Sequence, residues 1–291
     1  MNAVARLVRL PALPSALSNI TMAALAVAAL PERLPQFLLL LLGSSCLYMA
    51  GMALNDWYDQ DEDRRERPER PIASGEITSQ QAAGIGFGLL GIGVLLASLA
   101  ASPWLAGLLA GLIVLYNAVA KKGWLGPLVM GACRAVHVLL GCSLAGSAFS
   151  GVGPHLALVM GVYIVGVTWF ARGEAGRSKP AVLLASAGVI LAALLLALAV
   201  PAPFPPDTAS PVFPYVLVVL GFVLALPIAR AVEDPSPQRV QAAVRRQLLG
   251  VIVLDAALAS ATAGTLGLVV LIWLIPALLL AKRGRGRLSA T

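Results

Sequence analysis

Long apolar stretches separated by short polar connections run through most of the chain. A helix that crosses a membrane needs about 20 apolar residues. The pattern therefore predicts ten transmembrane helices, at 14–31, 35–57, 79–101, 103–120, 125–148, 154–171, 180–200, 212–232, 244–262 and 265–281. The apolar block from Leu248 to Ala281 would be about 51 Å long as one helix at 1.5 Å per residue. Because that is too long for a single crossing, we expect a break at Gly264.

Composition supports an all-α integral membrane protein with one domain over residues 1–291. The chain is 59% hydrophobic and 12% charged, with a mean hydropathy of +0.86, whereas soluble domains carry about 25% charged residues. The three cysteines lie in apolar runs without the paired spacing of a zinc site or disulfide framework. The first apolar run lacks a clear cleavage site, so we expect the first helix to be retained.

Basic residues predict the orientation of the chain. If the amino terminus is cytoplasmic, Arg33 is the only basic residue on an outer connection and Arg134 lies within a helix, while all other lysines and arginines fall on the inner side. This distribution follows the positive-inside rule. It predicts a multi-pass protein of a bacterial-type inner membrane with both termini in the cytoplasm. The net charge of +7 is thus explained by topology, and no nucleic-acid partner is expected.

A row of polar side chains begins at the end of the second predicted helix. Asn55, Asp59 and Asp63 are spaced by four residues, so they project from one face of a helix. Acidic groups at the edge of a membrane need a counter-charge, and a divalent cation such as Mg²⁺ prefers such oxygen ligands. Arginines from Arg64 to Arg70 follow at once and suit phosphate oxygens. The alternative is a solvated loop with internal ion pairs.

The same residues resemble the first signature of the UbiA superfamily of intramembrane prenyltransferases. The chain has Asn55, Asp59 and Asp63 in the Asn-x-x-x-Asp-x-x-x-Asp pattern, and the resemblance continues with Arg70-Pro71, Ser74-Gly75, Tyr116, Lys121-Lys122, Leu125-Gly126-Pro127 and Gly131-Ala132-Cys133-Arg134. The resemblance implies a bundle of nine core transmembrane helices around a central cavity that opens to the cytoplasmic face. The tenth predicted helix would be an addition to that bundle.

The second signature of the superfamily, a pair of aspartates, is altered here. The corresponding region reads Ala171-Arg172-Gly173-Glu174 and retains one acid. This element resembles a divergent subgroup of the superfamily that is found with the Ebo gene clusters. Glu174 either completes a second metal site alone, or the positive charges of Arg172, Arg177 and Lys179 replace a cation. A purely topological role for these basic residues is the alternative.

The resemblance implies Mg²⁺-dependent catalysis by Asn55, Asp59, Asp63 and Glu174, which are also the expected metal ligands. Expected substrate-binding residues are Asp56, Arg70, Lys121, Lys122, Arg134, His137, Arg172 and Arg177. Arg134 and His137 share a helix face because they are three residues apart. We expect Arg134 to face the cavity, although an arginine can also extend to the membrane interface. His137 is either an acceptor-site contact or base, or a hydrogen-bonded core residue.

The predicted activity is transfer of a prenyl group from an isoprenoid diphosphate to a small-molecule acceptor at the membrane. Aromatic acids, quinone precursors, glycerol phosphates, cyclitols and sugars all remain possible acceptors, and the basic second loop favours a polar, non-aromatic one. One alternative is a transferase that joins a polyprenyl phosphate to a sugar, as in the phosphoribosyl-transferring branch of the superfamily. Another is a non-catalytic lipid-binding or transport protein, although the outer half of the chain offers few polar residues for transport.

Overall fold

The computed structural model describes residues 2–146, 148–173, 176–200 and 210–285. In these ranges the chain forms α-helices and 3₁₀ segments, the longest of which is Gly264–Trp273, with no strand. In chain order the helices are α1 (Ala3–Leu7), α2 (Pro14–Ala26), α3 (Leu34–Tyr58), α4 (Gln60–Glu66), α5 (Ser79–Ala100), α6 (Pro103–Ala118), α7 (Gly126–Cys142), α8 (Gly153–Ala171), α9 (Pro180–Leu198), α10 (Phe213–Glu233), α11 (Pro237–Ala263) and α12 (Leu274–Arg285).

Each predicted apolar segment is helical over most of its length, but several boundaries differ from the prediction. The first helix ends at Ala26, shortly before Ala28 adopts a left-handed backbone conformation with φ of 51°. The penultimate helix begins at Pro237 instead of residue 244, because proline has the φ that the first helical turn requires. The predicted break at Gly264 is confirmed: α11 ends at Ala263, and Gly264 has a φ of 67°.

The architecture is that of a multi-pass membrane protein. Within the described ranges, seven helical stretches are long and apolar enough to cross a membrane, and one of them, Pro237–Lys282, contains the break at Gly264. The segments at α2 and α6 are apolar but shorter. Large apolar side chains such as Phe222, Leu99 and Leu191 are exposed on the outside of the bundle. Such a surface is typical of a protein that faces lipid. The number of crossings and the orientation of the cavity stay predictions.

Glycines let α3 and α5 pack closely. A Cβ atom added at Gly93 would lie 2.8 Å from Leu47 Cγ and 2.9 Å from the Leu47 backbone nitrogen, and one at Gly43 would lie 2.9 Å from the Ala97 nitrogen. Small residues at such contacts allow the backbones of membrane helices to approach one another. This packing fixes α3, the helix that carries Asn55, against its neighbour.

The connection between α4 and α5 is held on the bundle by local contacts. Ile72 and Ile77 are buried against Leu7 and Ala53, and the Ile77 backbone nitrogen donates to the Pro71 carbonyl at 3.0 Å. The start of α5 has a capping box, in which the Thr78 and Gln81 side chains each accept a hydrogen bond from the other's backbone nitrogen. These contacts place Arg70, which precedes the turn, beside the acidic end of α3 and α4.

Candidate active site

A cavity of about 550 Å³ lies among α2, α3, α6 and α7. Leu47, Met52, Leu109, Ile113 and Met130 form its apolar wall. The cavity extends to the end of the bundle where α3 meets α4, and there it includes Lys122, whose side chain is 69% exposed. The space therefore combines an apolar interior with a polar entrance that reaches solvent.

Asn55 and Asp59 line this cavity from successive turns of the chain. The helix α3 ends at Tyr58, yet the Asp59 nitrogen still donates to the Asn55 carbonyl at 3.1 Å and the Asp63 nitrogen to the Asp59 carbonyl at 2.8 Å. The helical register thus continues into α4 across a slight irregularity at Asp59, where φ is −96° and ψ is 4°. Glu62, one turn farther on, also faces the cavity.

Asp63 and Asp56 lie behind two arginines instead of on the cavity wall. Arg70 donates to Asp63 Oδ2 at 2.7 Å and to Asp56 Oδ1 at 3.2 Å, and Arg67 lies 3.8 Å from Asp63 Oδ1. Burial raises the pKa of the Asp63 carboxyl, and the hydrogen bond from Arg70 opposes that rise. The two buried acids hold Arg70 and Arg67, which themselves line the cavity.

Lys121 makes the closest ion pair with the cavity acids. Its Nζ atom is 2.6 Å from Asp59 Oδ1 and 3.3 Å from the Asn55 carbonyl oxygen. Burial lowers the pKa of Lys121, while the hydrogen bond with Asp59 works in the opposite direction. The neighbouring Lys122 also lines the cavity and lies 3.7 Å from Glu62 Oε2.

Arg9 belongs to the same site, although its position in the sequence predicts only a role in orienting the chain in the membrane. It donates to Asn55 Oδ1 at 2.9 Å and to Asp56 Oδ1 at 3.1 Å. Its backbone has a φ of 47°, in the left-handed region that is uncommon for residues other than glycine. No local motif marks Arg9 as a site residue, because its partners lie 46 and 47 positions away.

Arg172 is the part of the altered second signature that reaches the cavity. Its guanidinium donates to the Gly123 carbonyl and, at 3.4 Å, to the Lys121 carbonyl. It also lines an adjoining space of about 300 Å³ together with Arg9 and Lys121. Arg177 is exposed and lines neither space. The predicted ligand Glu174 lies outside the described residues.

Arg134 and His137 both line the interior of the cavity from α7. His137 Nε2 is 2.7 Å from the Ser44 hydroxyl, which also faces the cavity. Arg134 donates to the Ser15 carbonyl at 3.1 Å and to Asn19 Oδ1 at 2.7 Å. The structure thus brings the predicted substrate-binding residues of α7 into the same space as Asn55 and Asp59.

The polar lining suits a polyanion accompanied by a hard cation. Among the described residues, seven cationic side chains and two carboxylates face the cavity, namely Arg9, Arg67, Arg70, Lys121, Lys122, Arg134 and Arg172 with Asp59 and Glu62. Asn55, Asp59 and Glu62 offer the oxygen donors that Mg²⁺ prefers. Within the described ranges no three His, Cys, Asp or Glu residues are grouped as a metal site. The residues therefore fit a cation that takes further oxygen ligands from a bound phosphate compound.

The fold of this chain is similar to that of several solved structures. A digeranylgeranylglyceryl phosphate synthase structure matches with a TM-score of 0.66 and 17% identity, over 90% of this chain and 98% of that one. A UbiA homolog from Archaeoglobus fulgidus, solved with DMAPP and Mg²⁺, matches with a TM-score of 0.61 and 16% identity, over 88% and 99% of the two chains. At these identities the likeness shows a shared fold.

Curated relatives match shorter parts of the chain. A digeranylgeranylglyceryl phosphate synthase from Metallosphaera sedula is 34% identical over 94 residues, which are 31% of this chain and 33% of the relative. A protoheme IX farnesyltransferase from Paracoccus denitrificans is 45% identical over 78 residues, or 26% and 25% of the two chains. The matched segments thus span about a third or less of these relatives.

A family match covers most of the cavity-lining helices. Residues 16–252, from α2 into α11, match the UbiA prenyltransferase family. This range includes the acidic turn at Asn55 and Asp59, the two lysines after α6, and Arg134. Since both this match and the shared fold extend over most of the chain, the protein belongs to the UbiA prenyltransferase family.

Proposed function

We propose that this protein transfers a prenyl group from an isoprenoid diphosphate to a small-molecule acceptor, with Mg²⁺ as cofactor. The observation that carries the proposal is the position of Asn55 and Asp59, one turn apart, at the polar entrance of an apolar cavity with seven cationic side chains. An isoprenoid diphosphate has the matching form of an anionic head and an apolar chain. Family membership supports the same activity.

In the proposed site, Asn55 and Asp59 would hold Mg²⁺, and Glu62 lines the same part of the cavity. Arg70 holds Asp63 away from the cavity wall, and Glu174 lies outside the described residues, so the ligand roles of both stay expectations from the sequence. When bound, Mg²⁺ neutralises negative charge on the diphosphate. The solved homolog with DMAPP and Mg²⁺ supports the choice of cofactor and donor.

The cationic side chains of the cavity stabilise the departing diphosphate. Lys121, Arg9 and Arg70 are positioned beside Asn55 and the acids, so their positive charge meets the charge that develops as the allylic carbon–oxygen bond breaks. The bonding electrons leave with the diphosphate, and the acceptor supplies the pair for the new bond and loses a proton. The apolar wall at Leu47, Leu109 and Ile113 excludes water from the allylic carbon.

We also propose the domain organisation, membrane topology and subgroup that the sequence predicts. The chain is a single domain over residues 1–291 with nine core crossings and an additional one after Gly264, and the cavity opens to the cytoplasm of a bacterial-type inner membrane. The sequence from Ala171 to Glu174 supports the subgroup found with the Ebo gene clusters. The position of Arg172 beside Lys121 supports a role for Arg172 in substrate binding. Arg177 is exposed, and its role in substrate binding stays an expectation from the sequence.

The activity can be tested with radiolabelled geranyl diphosphate and protein in lipid nanodiscs, with an aromatic acid, a quinone precursor, a glycerol phosphate, a cyclitol and a sugar supplied in turn as the acceptor that takes the prenyl group. We expect release of diphosphate that requires Mg²⁺, and a rate lowered by about 100-fold or more in Asp59→Ala because a group at the reacting charge is lost. Asp61→Ala is the matched control, since Asp61 is an exposed acid that pairs with Arg64 outside the cavity.

Two outcomes would contradict the proposal. Absence of Mg²⁺-dependent release by the wild-type protein would count against prenyl donation. Equal rates in Asp59→Ala and Asp61→Ala would remove the proposed site. If only a sugar diphosphate releases its leaving group, in the presence of a polyprenyl phosphate, the glycosyl-transfer alternative would replace the proposal.

A further inference from the structure

A chain of buried polar side chains connects the cavity to the helix α11. Arg134 on α7 donates to Asn19 Oδ1 on α2 at 2.7 Å. The Asn19 amide nitrogen in turn lies 2.7 Å from both carboxylate oxygens of Asp255 on α11. The Ser18 hydroxyl donates to Asp255 Oδ2 at 2.5 Å. Three helices therefore meet through one hydrogen-bonded sequence of residues.

Asp255 lies where a carboxylate is costly. Its exposure is 0%, as are those of Ser18 and Asn19, and a buried charge must be compensated by partners. Asp255 is in α11, away from the acids of α3 and α4, and it does not line the cavity. Its hydrogen-bond partners in the described part of the chain are Ser18 and Asn19, and the latter leads directly to Arg134.

The Asp255 carboxylate determines the orientation of the Asn19 side-chain amide. An ionised carboxylate only accepts hydrogen bonds, so the Asn19 amide must direct its NH₂ group to Asp255. The amide oxygen of Asn19 then faces Arg134, where it accepts a hydrogen bond. Replacing the charge on Asp255 would remove the reason for this orientation and would release Arg134 from one of its anchors.

Arg134 keeps unused hydrogen-bonding capacity in this arrangement. A guanidinium carries five N–H donors. In Arg134, Nη1 donates to the Ser15 carbonyl and to Asn19 Oδ1, and Nη2 donates to the Ser15 hydroxyl. No carboxylate of the described ranges forms a direct ion pair with Arg134. Since the side chain lines the cavity, its remaining donors are available to a ligand there.

We propose that Asp255 is a positioning residue that serves as an indirect counter-ion of Arg134, with Asn19 as a spacer between them. The spacer lets the negative charge of Asp255 support the partly buried guanidinium of Arg134 without occupying its free donors. Arg134 thus stays ready to bind an oxyanion, a phosphate or carboxylate, of a substrate in the cavity. This inference rests on the proposed function only for the identity of that substrate.

The test compares four variants in detergent solution by isothermal titration calorimetry. They are Arg134→Gln, Asp255→Asn, the double variant with both changes, and the exchanged pair Asn19→Asp with Asp255→Asn. Ser260→Ala is the matched control, because Ser260 is another fully buried polar residue of α11, and its hydroxyl donates to the carbonyl of Ala257 in its own helix. The probes are geranyl thiodiphosphate with Mg²⁺ and octylglyceryl phosphate, with neutral octylglycerol for comparison.

We expect Arg134→Gln to weaken binding of at least one anionic probe by about tenfold or more, as for loss of a buried charged partner. Asp255→Asn should weaken the same probe, and the double variant should bind it no more weakly than Arg134→Gln alone. The exchanged pair should regain thermal stability but not affinity, because its carboxylate would pair directly with Arg134. Octylglycerol binding and the Ser260→Ala control should be unchanged.

Wild-type affinity in Asp255→Asn, additive losses in the double variant, or unchanged anion binding in Arg134→Gln would each overturn the inference. If Asp255→Asn does not fold, the exchanged pair decides, and full recovery of affinity there would contradict the spacer role. Failure of the proposed function is distinguishable: geranyl thiodiphosphate would then bind the wild type without Mg²⁺ dependence or not at all. Binding of neither anionic probe by the wild type would overturn the inference as well.

Discussion

At the scale of single residues, arginines and lysines contact each acid that the structure describes in the candidate site. Arg70 bridges Asp56 and Asp63, Lys121 pairs with Asp59, and Arg9 reaches Asn55. Buried acids require such partners, and removal of one partner is more damaging than the net stabilisation by the pair suggests. The ion pairs therefore position the cations that face the cavity.

Replacement of Arg70 tests this role. Arg70→Gln leaves Asp63 with Arg67 at 3.8 Å and Asp56 with Arg9 at 3.1 Å, so we expect a loss of about 3 kcal/mol in unfolding free energy. Arg64→Gln is the control, because its pair with Asp61 is on the surface and such pairs contribute about 0–1 kcal/mol. Denaturation followed by tryptophan fluorescence would measure both. Equal stability of the two variants would contradict the bridging role.

The sequence was informative about these residues where spacing along one helix sufficed. Asn55 and Asp59 could be placed together because they are one turn apart, and Arg134 and His137 because they share a face of α7. Arg9 could not be found in this way, since the turn between α1 and α2 brings it to partners on α3. The burial of Asp63 likewise depends on where the chain places Arg70 after α4.

At the scale of helices, the contact between α3 and α5 depends on glycines that the sequence pattern alone did not distinguish. Gly91 and Gly93 are both in α5, yet nothing lies within 4 Å of a Cβ added at Gly91, whereas Gly93 faces Leu47 and Gly43. Apolar periodicity predicted that both helices exist. It could not say which glycines permit their close approach, because this depends on the rotation of two helices about their axes.

Gly91 and Gly93 provide a matched test of helix packing. In Gly93→Ala the added methyl group meets the Leu47 backbone nitrogen at 2.9 Å, so α3 and α5 must separate, and we expect a loss of about 1–3 kcal/mol. Gly91→Ala should be neutral or stabilising, since alanine favours a helix by about 1 kcal/mol over glycine. Melting temperatures in detergent would decide. A lower melting temperature for Gly91→Ala than for Gly93→Ala would contradict this packing.

At the scale of the whole molecule, hydropathy predicted an all-helical membrane protein correctly, and the structure agrees on the position of most helices. Helix ends were less predictable, since they depend on local backbone features such as the left-handed Ala28 and the proline at the start of α11. The break at Gly264 could be predicted from length, because the apolar block from Leu248 to Ala281 would exceed the membrane as one straight helix.

The predicted orientation can be tested by cysteine labelling. In a background with Cys46, Cys133 and Cys142 replaced by alanine, single cysteines are introduced at two exposed positions, Glu32→Cys and Arg65→Cys. A membrane-impermeant maleimide should label Glu32→Cys in right-side-out vesicles and Arg65→Cys in inside-out vesicles, as the positive-inside rule requires. Labelling of both positions from one side would contradict the predicted topology.

The separation between the charged entrance and the apolar wall has a practical consequence for redesign. Leu109 and Ile113 belong to α6 and face the cavity. Shortening these two side chains would enlarge the apolar part of the cavity, and the charged residues at the entrance would be unchanged. In the proposed reaction, the accepted length of the donor chain and the activation of its leaving group would therefore be separately adjustable.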